Sequence, residues 1–350
     1  MYRRNIKYMT LIALTGILIM AFSGMRSLDH DTNDDFPILN GPYLGQALPG
    51  ADPELFAPGI IPTGMYTRDV AMTPDGDEFY FCIAVANYNY TAVMVSRNID
   101  GQWTEPEVTP FSRDFQYMIL EPAISPDGSK FYFLSNRPDI NEGETTAADQ
   151  DIWVMDRTGD GWSEPYNLGP PVNSDGAEFF PSLTNDGTMY FTRVVPGERA
   201  NKIYRSRMVN GEYMEAELLP PQVNCAASQF NAFIARDESY IIVCTGGRAD
   251  TKGGSDYYVV FRNEKDEWSE PVNMGDKVNT EAGSEWSPYV SPDEKYFFFM
   301  SDRKQRNYKR EMTGCTITEM LKLYNEPQNG YPDIYWMDAS FIQELRPDGF

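Results

Sequence analysis

The stretch Ile124-Ser125-Pro126-Asp127-Gly128-Ser129-Lys130-Phe131-Tyr132-Phe133-Leu134-Ser135 decides the fold, because the chain repeats it. A Pro-Asp-Gly turn here joins two apolar, partly aromatic runs, a pattern that predicts strand, tight turn and strand. Four other segments carry the same pattern, each with an Asp at the same place: Asp75, Asp186, Asp237 and Asp293. The sequence therefore predicts a repeat protein.

Successive repeat Asp residues lie 52, 59, 51 and 56 positions apart, which matches a four-stranded propeller blade with loop insertions. The second repeat predicts an inner strand over residues 119–125, followed by strands over residues 130–135, 151–156 and 161–169. The third and outer elements recur in later repeats in the same order, and so do short linkers such as Val172-Asn173. This ordered recurrence favours a β-propeller.

The two ends of the chain decide the number of blades. The last repeat lacks an outer strand, and the N-terminal piece over residues 54–59 can supply it. Gly59 precedes Asp75, the first repeat Asp, by 16 residues. Similarly, Gly169 precedes Asp186 by 17 residues and Gly275 precedes Asp293 by 18 residues. We predict an all-β fold, a five-bladed β-propeller of four-stranded antiparallel blades closed by an N-terminal strand. Six blades is the alternative.

Residues 1–23 have the composition of a secretory signal peptide. A basic start precedes an apolar run over residues 11–22, and Ala21 and Ser23 suit cleavage after Ser23. We expect an exported bacterial protein, periplasmic or secreted, with no membrane span after cleavage. An uncleaved N-terminal anchor in the inner membrane is the alternative.

Beyond the signal peptide we expect a disordered or extended leader over residues 24–52 and a single propeller domain over residues 53–350. One insertion, at about residues 304–332, opens with a basic run. It has Thr316 and Glu319 at capping-box spacing, with apolar residues at helical spacing: Ile317, Met320, Leu321 and Tyr324. This pattern predicts a short helix whose apolar side packs on the propeller; the alternative is that this side is offered to a partner.

The chain of 350 residues has a formal net charge of −23. Such acidity disfavours nucleic acids and anionic membrane surfaces as partners, and it indicates a solvated surface or a cationic ligand. Of the four cysteines, Cys82 and Cys244 fall in predicted core strands, and Cys225 and Cys315 lie in connecting segments. We expect no essential disulfide framework.

Residue types exclude several kinds of chemistry. His30 is the only histidine and lies in the predicted leader, which excludes a Ser-His-Asp or Cys-His site and a His-bound zinc ion. The sequence has no glycine-rich phosphate loop and no segment with EF-hand spacing. We expect no cofactor and no metal ion, so carboxylates remain as the reactive groups.

The repeat resembles a known group. Ser-Pro-Asp-Gly precedes an aromatic strand, then come Ser135-Asn136-Arg137 or Ser301-Asp302-Arg303, and then Asp-Ile-Trp or Asp-Ile-Tyr. These motifs resemble the WD40-like β-propeller repeats of bacterial TolB-type proteins, over about residues 53–338. The resemblance implies a periplasmic, protein-binding propeller, and it is specific for fold rather than for function.

Aligning the inner strands on the repeat Asp gives three rows of equivalent residues, which are expected to surround the central channel. The first row is Thr67, Ile119, Glu178, Gln229 and Glu285. The second row is Arg68, Leu120, Phe179, Phe230 and Trp286. The third row is Asp69, Glu121, Phe180, Asn231 and Ser287. Acidic and aromatic groups around a funnel suit a sugar or a cationic ligand.

Glu178 and Glu285 are the catalytic candidates, because glycoside cleavage needs two carboxylates that flank a bond. The ligand-binding candidates are Arg68, Asp69, Glu121, Phe179, Gln229, Phe230, Asn231 and Trp286. The alternative is that the acids are solvated channel walls or pair with arginines that follow the second strands: Arg137, Arg193, Arg248 and Arg303.

Three functions are consistent with this sequence. The first is an exported, non-enzymatic propeller, a monomer that binds a protein or glycan of the cell envelope at the channel mouth. The second is a carbohydrate-active enzyme, a glycoside hydrolase or lyase that uses channel carboxylates. The third is an accessory propeller that docks to a larger envelope complex.

Overall fold

The computed structural model describes residues 36–139, 143, 149–159, 161–198, 200–304 and 316–350. The predicted signal peptide, His30, Cys315 and part of the basic run lie outside the described residues. All strands and helices given below belong to the unit formed by residues Ile38–Phe350.

The strands of the first half are numbered in chain order: β1 (Glu54–Leu55), β2 (Tyr66–Met72), β3 (Glu78–Val85), β4 (Tyr90–Ile99), β5 (Gln102–Trp103), β6 (Glu107–Val108), β7 (Ile119–Ile124), β8 (Lys130–Ser135), β9 (Asp151–Thr158), β10 (Gly161–Trp162), β11 (Tyr166–Asn167) and β12 (Ala177–Leu183). Those of the second half follow: β13 (Met189–Val194), β14 (Asn201–Ser206), β15 (Met208–Val209), β16 (Glu212–Tyr213), β17 (Glu217–Leu218), β18 (Gln229–Ile234), β19 (Tyr240–Thr245), β20 (Asp256–Phe261), β21 (Val272–Asn273), β22 (Tyr289–Val290), β23 (Tyr296–Ser301) and β24 (Asp333–Asp338). The helices are α1 (Ile317–Tyr324) and α2 (Phe341–Glu344), with single 3-10 turns at Tyr43–Gly45 and Pro110–Ser112.

These strands form five antiparallel blades, which confirms the predicted five-bladed β-propeller. Blade 1 has the order β2-β3-β4-β5, and blade 2 has β7-β8-β9-β10; β6 and β11 extend their outer edges. Blade 3 is β12-β13-β14-β17, and blade 4 is β18-β19-β20-β21. Blade 5 is β22-β23-β24-β1, so the described residues form five blades and not six.

The closing strand of blade 5 comes from the N-terminal side of the chain, as predicted. β1 pairs antiparallel with β24, with Glu54 opposite Trp336. The next residue, Phe56, is fully buried, and its ring centroid lies 4.8 Å from that of Phe79 in blade 1 and 5.1 Å from that of Phe298 in blade 5. One short segment therefore completes a sheet and packs between the first and last blades.

The repeat Asp residues hold the turns, as the sequence predicts. Asp127 Oδ1 accepts hydrogen bonds from Ser125 Oγ at 2.6 Å and from Ser129 N at 3.0 Å. The residue after each repeat Asp has a positive φ: Gly76, Gly128, Gly187, Glu238 and Glu294. Glycine adopts this conformation at low cost, which explains its place in three of the five turns.

The outer strands are shorter than the sequence predicts. In blade 2 the predicted strand over residues 161–169 divides into β10 and β11, and Pro165 stands between them. Proline has no N–H to donate to a ladder, so pairing stops there and resumes beyond it. Both β10 and β11 pair with β9, so the outer edge of the blade remains hydrogen-bonded to the third strand.

The three repeated Val-Asn linkers, which follow blades 2, 3 and 4, are each bound to the blade that they follow. The Asn173 side chain accepts a hydrogen bond from Ile152 N at 3.0 Å and donates one to Ile152 O at 2.9 Å. Asn224 makes the same pair of bonds with Ile203, and Asn279 makes them with Tyr257. The linker amide therefore satisfies backbone groups of the third strand of the preceding blade.

Residues within the predicted disordered or extended leader pack on blade 5. Tyr43 and Leu44 are buried, and Tyr43 Oη donates to Asp293 Oδ1 at 2.9 Å. The Tyr43 ring also meets Tyr296 edge to face at 4.9 Å. Burial of apolar and aromatic surface against blade 5 holds this segment in place.

The inserted helix has the predicted capping box, but its apolar side does not pack on the propeller. In α1, Thr316 Oγ1 accepts from Glu319 N, and the Glu319 side chain accepts from Thr316 N. Ile317 is 75% exposed and Tyr324 is 60% exposed. The segment is fastened beyond the C-terminal end of the helix, where Asn329 Nδ2 donates to Gly64 O at 2.9 Å, and no residue of α1 is buried.

Cys82 and Cys244 are fully buried free thiols in β3 and β19, as predicted for core positions. Cys225 is a free, partly buried thiol. Among the described residues, no helix has both the length and the apolar character needed to cross a membrane.

Candidate functional site

In all five blades the backbone changes conformation at the same point in or just before the inner strand, the third row of the alignment. Five non-glycine residues have left-handed φ values between 49° and 60°: Asp69, Glu121, Phe180, Asn231 and Ser287. In β2, β7, β12 and β18 the pairing register with the second strand shifts across this residue. Such bulges break the alternation of a strand and redirect side chains, and they are common next to functional sites.

A cavity of about 400 Å³ opens where the inner strands begin. All five residues of the second row line it: Arg68, Leu120, Phe179, Phe230 and Trp286. Glu121 and Asn231 of the third row line it as well. The alignment of inner strands therefore identifies the residues that meet at the channel mouth.

The floor of the cavity is a buried ion network centred on Arg68. Its Nε donates to both carboxylate oxygens of Asp69, at 3.0 and 2.9 Å, and its Nη2 donates to Glu121 Oε1 at 2.7 Å. Ser287 Oγ donates to Asp69 Oδ1 at 2.5 Å. The network therefore joins blades 1, 2 and 5 across the channel.

Backbone groups complete the coordination of the two carboxylates. Glu121 N donates to Asp69 Oδ2 at 3.2 Å, and Phe180 N donates to Glu121 Oε2 at 2.8 Å. Burial raises the pKa of Glu121 to about 7, although the positive charge of Arg68 opposes the shift. Asp69 and Glu121 also line a second cavity, of about 50 Å³, so the network lies between the two cavities.

Three aromatic rings form the wall of the larger cavity. Phe230 and Trp286 meet edge to face with centroids 5.7 Å apart, and Trp286 Nε1 donates to Ser255 Oγ at 2.8 Å. Phe179 lines the same cavity and is only partly buried, as Phe230 and Trp286 are. The indole is fixed by its hydrogen bond, so the aromatic surface of the cavity is preformed.

Tyr88 completes the wall from the hairpin between β3 and β4. Its hydroxyl donates to Tyr66 Oη at 2.6 Å and accepts from Arg68 Nη1 at 3.2 Å. Tyr88 lies outside the repeat alignment, because it belongs to a hairpin whose sequence differs between blades. The same is true of Gln150 and Asn201, which also line the cavity.

Glu178 and Glu285 do not lie at the channel mouth, where catalytic carboxylates are expected. Neither lines the cavity, and both are fully buried. Glu178 accepts from Ser174 N at 3.0 Å and Arg193 Nε at 2.6 Å. Glu285 accepts from the backbone N of Thr280 and pairs with Arg303 at 3.4 Å. The alternative of pairing with second-strand arginines is confirmed for these two acids.

The bulge explains this correction. In a regular strand, residues two apart point to the same face, so the first and third rows would both face the channel. The left-handed residue of the third row breaks that relation, and the first row points into the blades. Gln229, also of the first row, is fully buried and accepts from Ala226 N at 3.0 Å instead of reaching the cavity.

The four arginines serve the contacts between blades. Arg137 donates to Phe111 O, Arg193 to Val172 O, Arg248 to Cys225 O and Arg303 to Val278 O, all carbonyls of the preceding linker. Each guanidinium also lies over an aromatic ring of its own blade. These contacts indicate a structural role.

Within the described ranges, no three His, Cys, Asp or Glu side chains come together as possible ligands of a metal ion. The polar groups of the cavity are one guanidinium, one carboxyl group, a phenol and several amides. Such a set can hold a ligand through hydrogen bonds and ring stacking.

The fold is similar to solved propeller structures at low sequence identity. TolB from Acinetobacter baumannii is 15% identical with a TM-score of 0.45, and the match covers 79% of this chain and 57% of that chain. An arabinanase from Bacillus subtilis is 11% identical with a TM-score of 0.45, covering 79% of this chain and 95% of that one. An exo-1,5-alpha-L-arabinanase from a bovine ruminal metagenomic library is 13% identical with a TM-score of 0.44, covering 78% and 92%. No protein-family model and no curated protein matches this chain.

Proposed function

We propose that this protein is an exported, non-enzymatic β-propeller that binds a glycan at the cavity between its inner strands. The observation that carries the proposal is the second row, in which Phe179, Phe230 and Trp286 present partly exposed rings around one cavity. Aromatic rings stack on the apolar faces of a ligand, while a few polar groups fix its orientation. A sugar ring has both apolar faces and hydroxyl groups.

The charged groups at the floor of the cavity favour a ligand without net charge. Arg68 is the only cationic residue among the described residues that line the cavity, and it is already paired with Asp69 and Glu121. The amide side chains of Gln150, Asn201 and Asn231 line the same cavity. An amide both donates and accepts, as a sugar hydroxyl does, so these groups complement a neutral polyol.

Binding is favoured over catalysis by the number of carboxylates. Glycoside cleavage generally uses two carboxyl groups on either side of the scissile bond. Glu121 is the only acidic residue among the described residues that line the cavity. The sequence of residues 1–23 supports export, so we propose that the glycan belongs to the cell envelope or its surroundings.

The proposal is tested by calorimetric titration with soluble disaccharides of xylan, cellulose, starch, arabinan and chitin. We expect wild-type protein to bind at least one of them, and Trp286→Ala to weaken that binding at least tenfold. Tyr324→Ala, which removes an exposed aromatic ring from α1, is the matched control and should bind as wild type does. No binding by wild-type protein, or unchanged binding by a folded Trp286→Ala, contradicts the proposal.

A carbohydrate-active enzyme is the second candidate, and the Glu121 carboxyl group is the observation that favours it. It lines the cavity, and burial raises its pKa to about 7, in the range of a general acid. Release of reducing ends from a polysaccharide by wild-type protein, abolished in Glu121→Gln, would establish this function instead. Loss of activity in Glu178→Gln with retained stability would restore the role expected from the sequence.

A further inference from the structure

Two exposed aromatic side chains lie outside the cavity and have no part in the proposed function so far. Tyr90 is 54% exposed and Phe115 is 48% exposed. Their rings meet edge to face with centroids 6.2 Å apart. A single exposed apolar residue is ordinary, but two rings in contact form a surface that a ligand can cover. We call Tyr90 and Phe115 the aromatic platform.

The platform comes from two segments that adjoin cavity-lining residues along the chain. Tyr90 begins β4 and lies two residues after Tyr88, which lines the cavity. Phe115 lies four residues before Ile119, the first residue of the inner strand β7. Ile119 N donates to Thr91 Oγ1 at 2.9 Å, which fastens the start of β7 to the start of β4. Both rings therefore come from segments that are held together beside the mouth.

The hairpin between β3 and β4 is fixed in an unusual conformation. Three consecutive non-glycine residues, Ala86, Asn87 and Tyr88, have φ values of 53°, 54° and 66°. Left-handed φ values are unfavourable for non-glycine residues, and the conformation persists only where the surroundings enforce it. Here the Tyr88 hydroxyl is held by Tyr66 and Arg68. The hairpin therefore holds Tyr88 of the cavity two residues from Tyr90 of the platform.

We infer that the ligand is an oligosaccharide, with one sugar ring in the cavity and the following rings on the aromatic platform. This inference rests on the proposed function and adds to it the length of the ligand. A glycan chain repeats flat apolar faces along its length, and exposed aromatic rings beyond the cavity can contact the faces that follow the first. Nucleic acids also have stacking faces, but the net charge of −23 repels their phosphates.

A peptide is a poorer occupant than a glycan. An extended peptide brings N–H and C=O groups that need partners once they are covered. The platform consists of two rings in edge-to-face contact and a single phenol hydroxyl, so it leaves those groups unpaired. A sugar ring lying flat on an aromatic ring keeps its hydroxyls at its edge, where water still reaches them.

The test compares ligand lengths in the full-length protein. Titrations use di-, tetra- and hexasaccharides of xylan, cellulose, starch, arabinan and chitin, with wild type, Tyr90→Ala/Phe115→Ala and the control Tyr324→Ala. In wild type we expect the Kd of the preferred series to fall at least tenfold from disaccharide to hexasaccharide. The double variant should bind the disaccharide within twofold of wild type but lose the gain with length. Thermal unfolding checks that all three proteins are folded.

The outcomes separate this inference from the proposed function. Equal affinity of wild type for disaccharide and hexasaccharide overturns the platform but leaves glycan binding intact, and so does an unchanged length gain in the folded double variant. Absence of binding to every saccharide overturns both. Binding of proline-rich or tryptic peptides that the double variant loses, with no saccharide bound, would assign the platform to a peptide instead.

Discussion

Arg68 Nη2 lies 2.7 Å from Glu121 Oε1, and both side chains are almost fully buried, at 6% and 5% exposure. The contact joins the inner strands of blades 1 and 2, and the bonds of Arg68 and Ser287 to Asp69 extend it to blade 5. A charged network therefore lies where the blades converge, directly beneath the cavity. Its integrity should determine both the stability of the ring and the shape of the site.

Removal of the guanidinium tests the network first. Arg68→Met leaves Asp69 and Glu121 buried without their cation, and loss of one partner from a buried pair typically costs about 3–5 kcal/mol of unfolding free energy. Urea denaturation measures the change. Arg113→Met, which removes an exposed arginine 3.8 Å from Glu107, should change stability by less than about 0.5 kcal/mol. Equal stability of the two variants would show that the network does not support the fold.

Closure by the N-terminal segment is tested at Phe56. This ring is fully buried between blades 1 and 5, and Phe→Ala in a core typically costs about 3–5 kcal/mol. We expect Phe56→Ala to lower the unfolding free energy by that amount in urea titrations. Leu48→Ala, at an exposed position of the same N-terminal segment, should have little effect. A small loss of unfolding free energy in Phe56→Ala would mean that the five blades stay closed without the Phe56 side chain.

The pH dependence of stability tests the buried carboxyl group of Glu285. Burial raises its pKa from 4.5 to about 7, although Thr280 and Arg303 oppose the shift. Between these values the native state holds a proton that the unfolded state has lost, so stability falls as pH rises. Wild type should therefore lose unfolding free energy between about pH 5 and pH 8. In Glu285→Gln this fall should be smaller.

Other carboxyl groups contribute to the same pH profile, in different pH ranges. Glu121 also has its pKa raised to about 7 by burial, so a residual fall should remain in Glu285→Gln. Asp75 and Asp127 have pKa values lowered by hydrogen bonds in their turns, so their titration changes the unfolding free energy only at lower pH. An identical pH profile in wild type and Glu285→Gln would contradict the account of this carboxyl group.

The turns and the arrangement of the blades could be predicted from local patterns in the sequence. The hydrogen bonds of Asp127 and its counterparts lie within a few residues, so the turn sequence alone predicts them. The spacing of Gly59 from Asp75 predicts the closing strand, because the blade is a repeating unit. The second row, with Phe230 and Trp286, was found because aligned strands of a propeller converge on one axis.

Tertiary effects limited the prediction of the site. Glu178 was expected in the channel because a regular strand alternates, whereas the left-handed conformation at Phe180 interrupts that alternation. Tyr88 was missed because its hairpin has no counterpart in the repeat. The apolar spacing of α1 predicts which side of the helix is apolar, but it carries no information on what that side contacts. Ile317 is accordingly exposed where packing was expected.

A crystal structure of the protein soaked with its preferred saccharide tests the central claim most directly. The account predicts density for a sugar ring in the cavity, against Phe230 and Trp286 and above the Arg68 network, with further rings toward Tyr90. Saccharide density at the smaller cavity or on the outer edge of a blade, or an empty main cavity at saturating ligand, would contradict it.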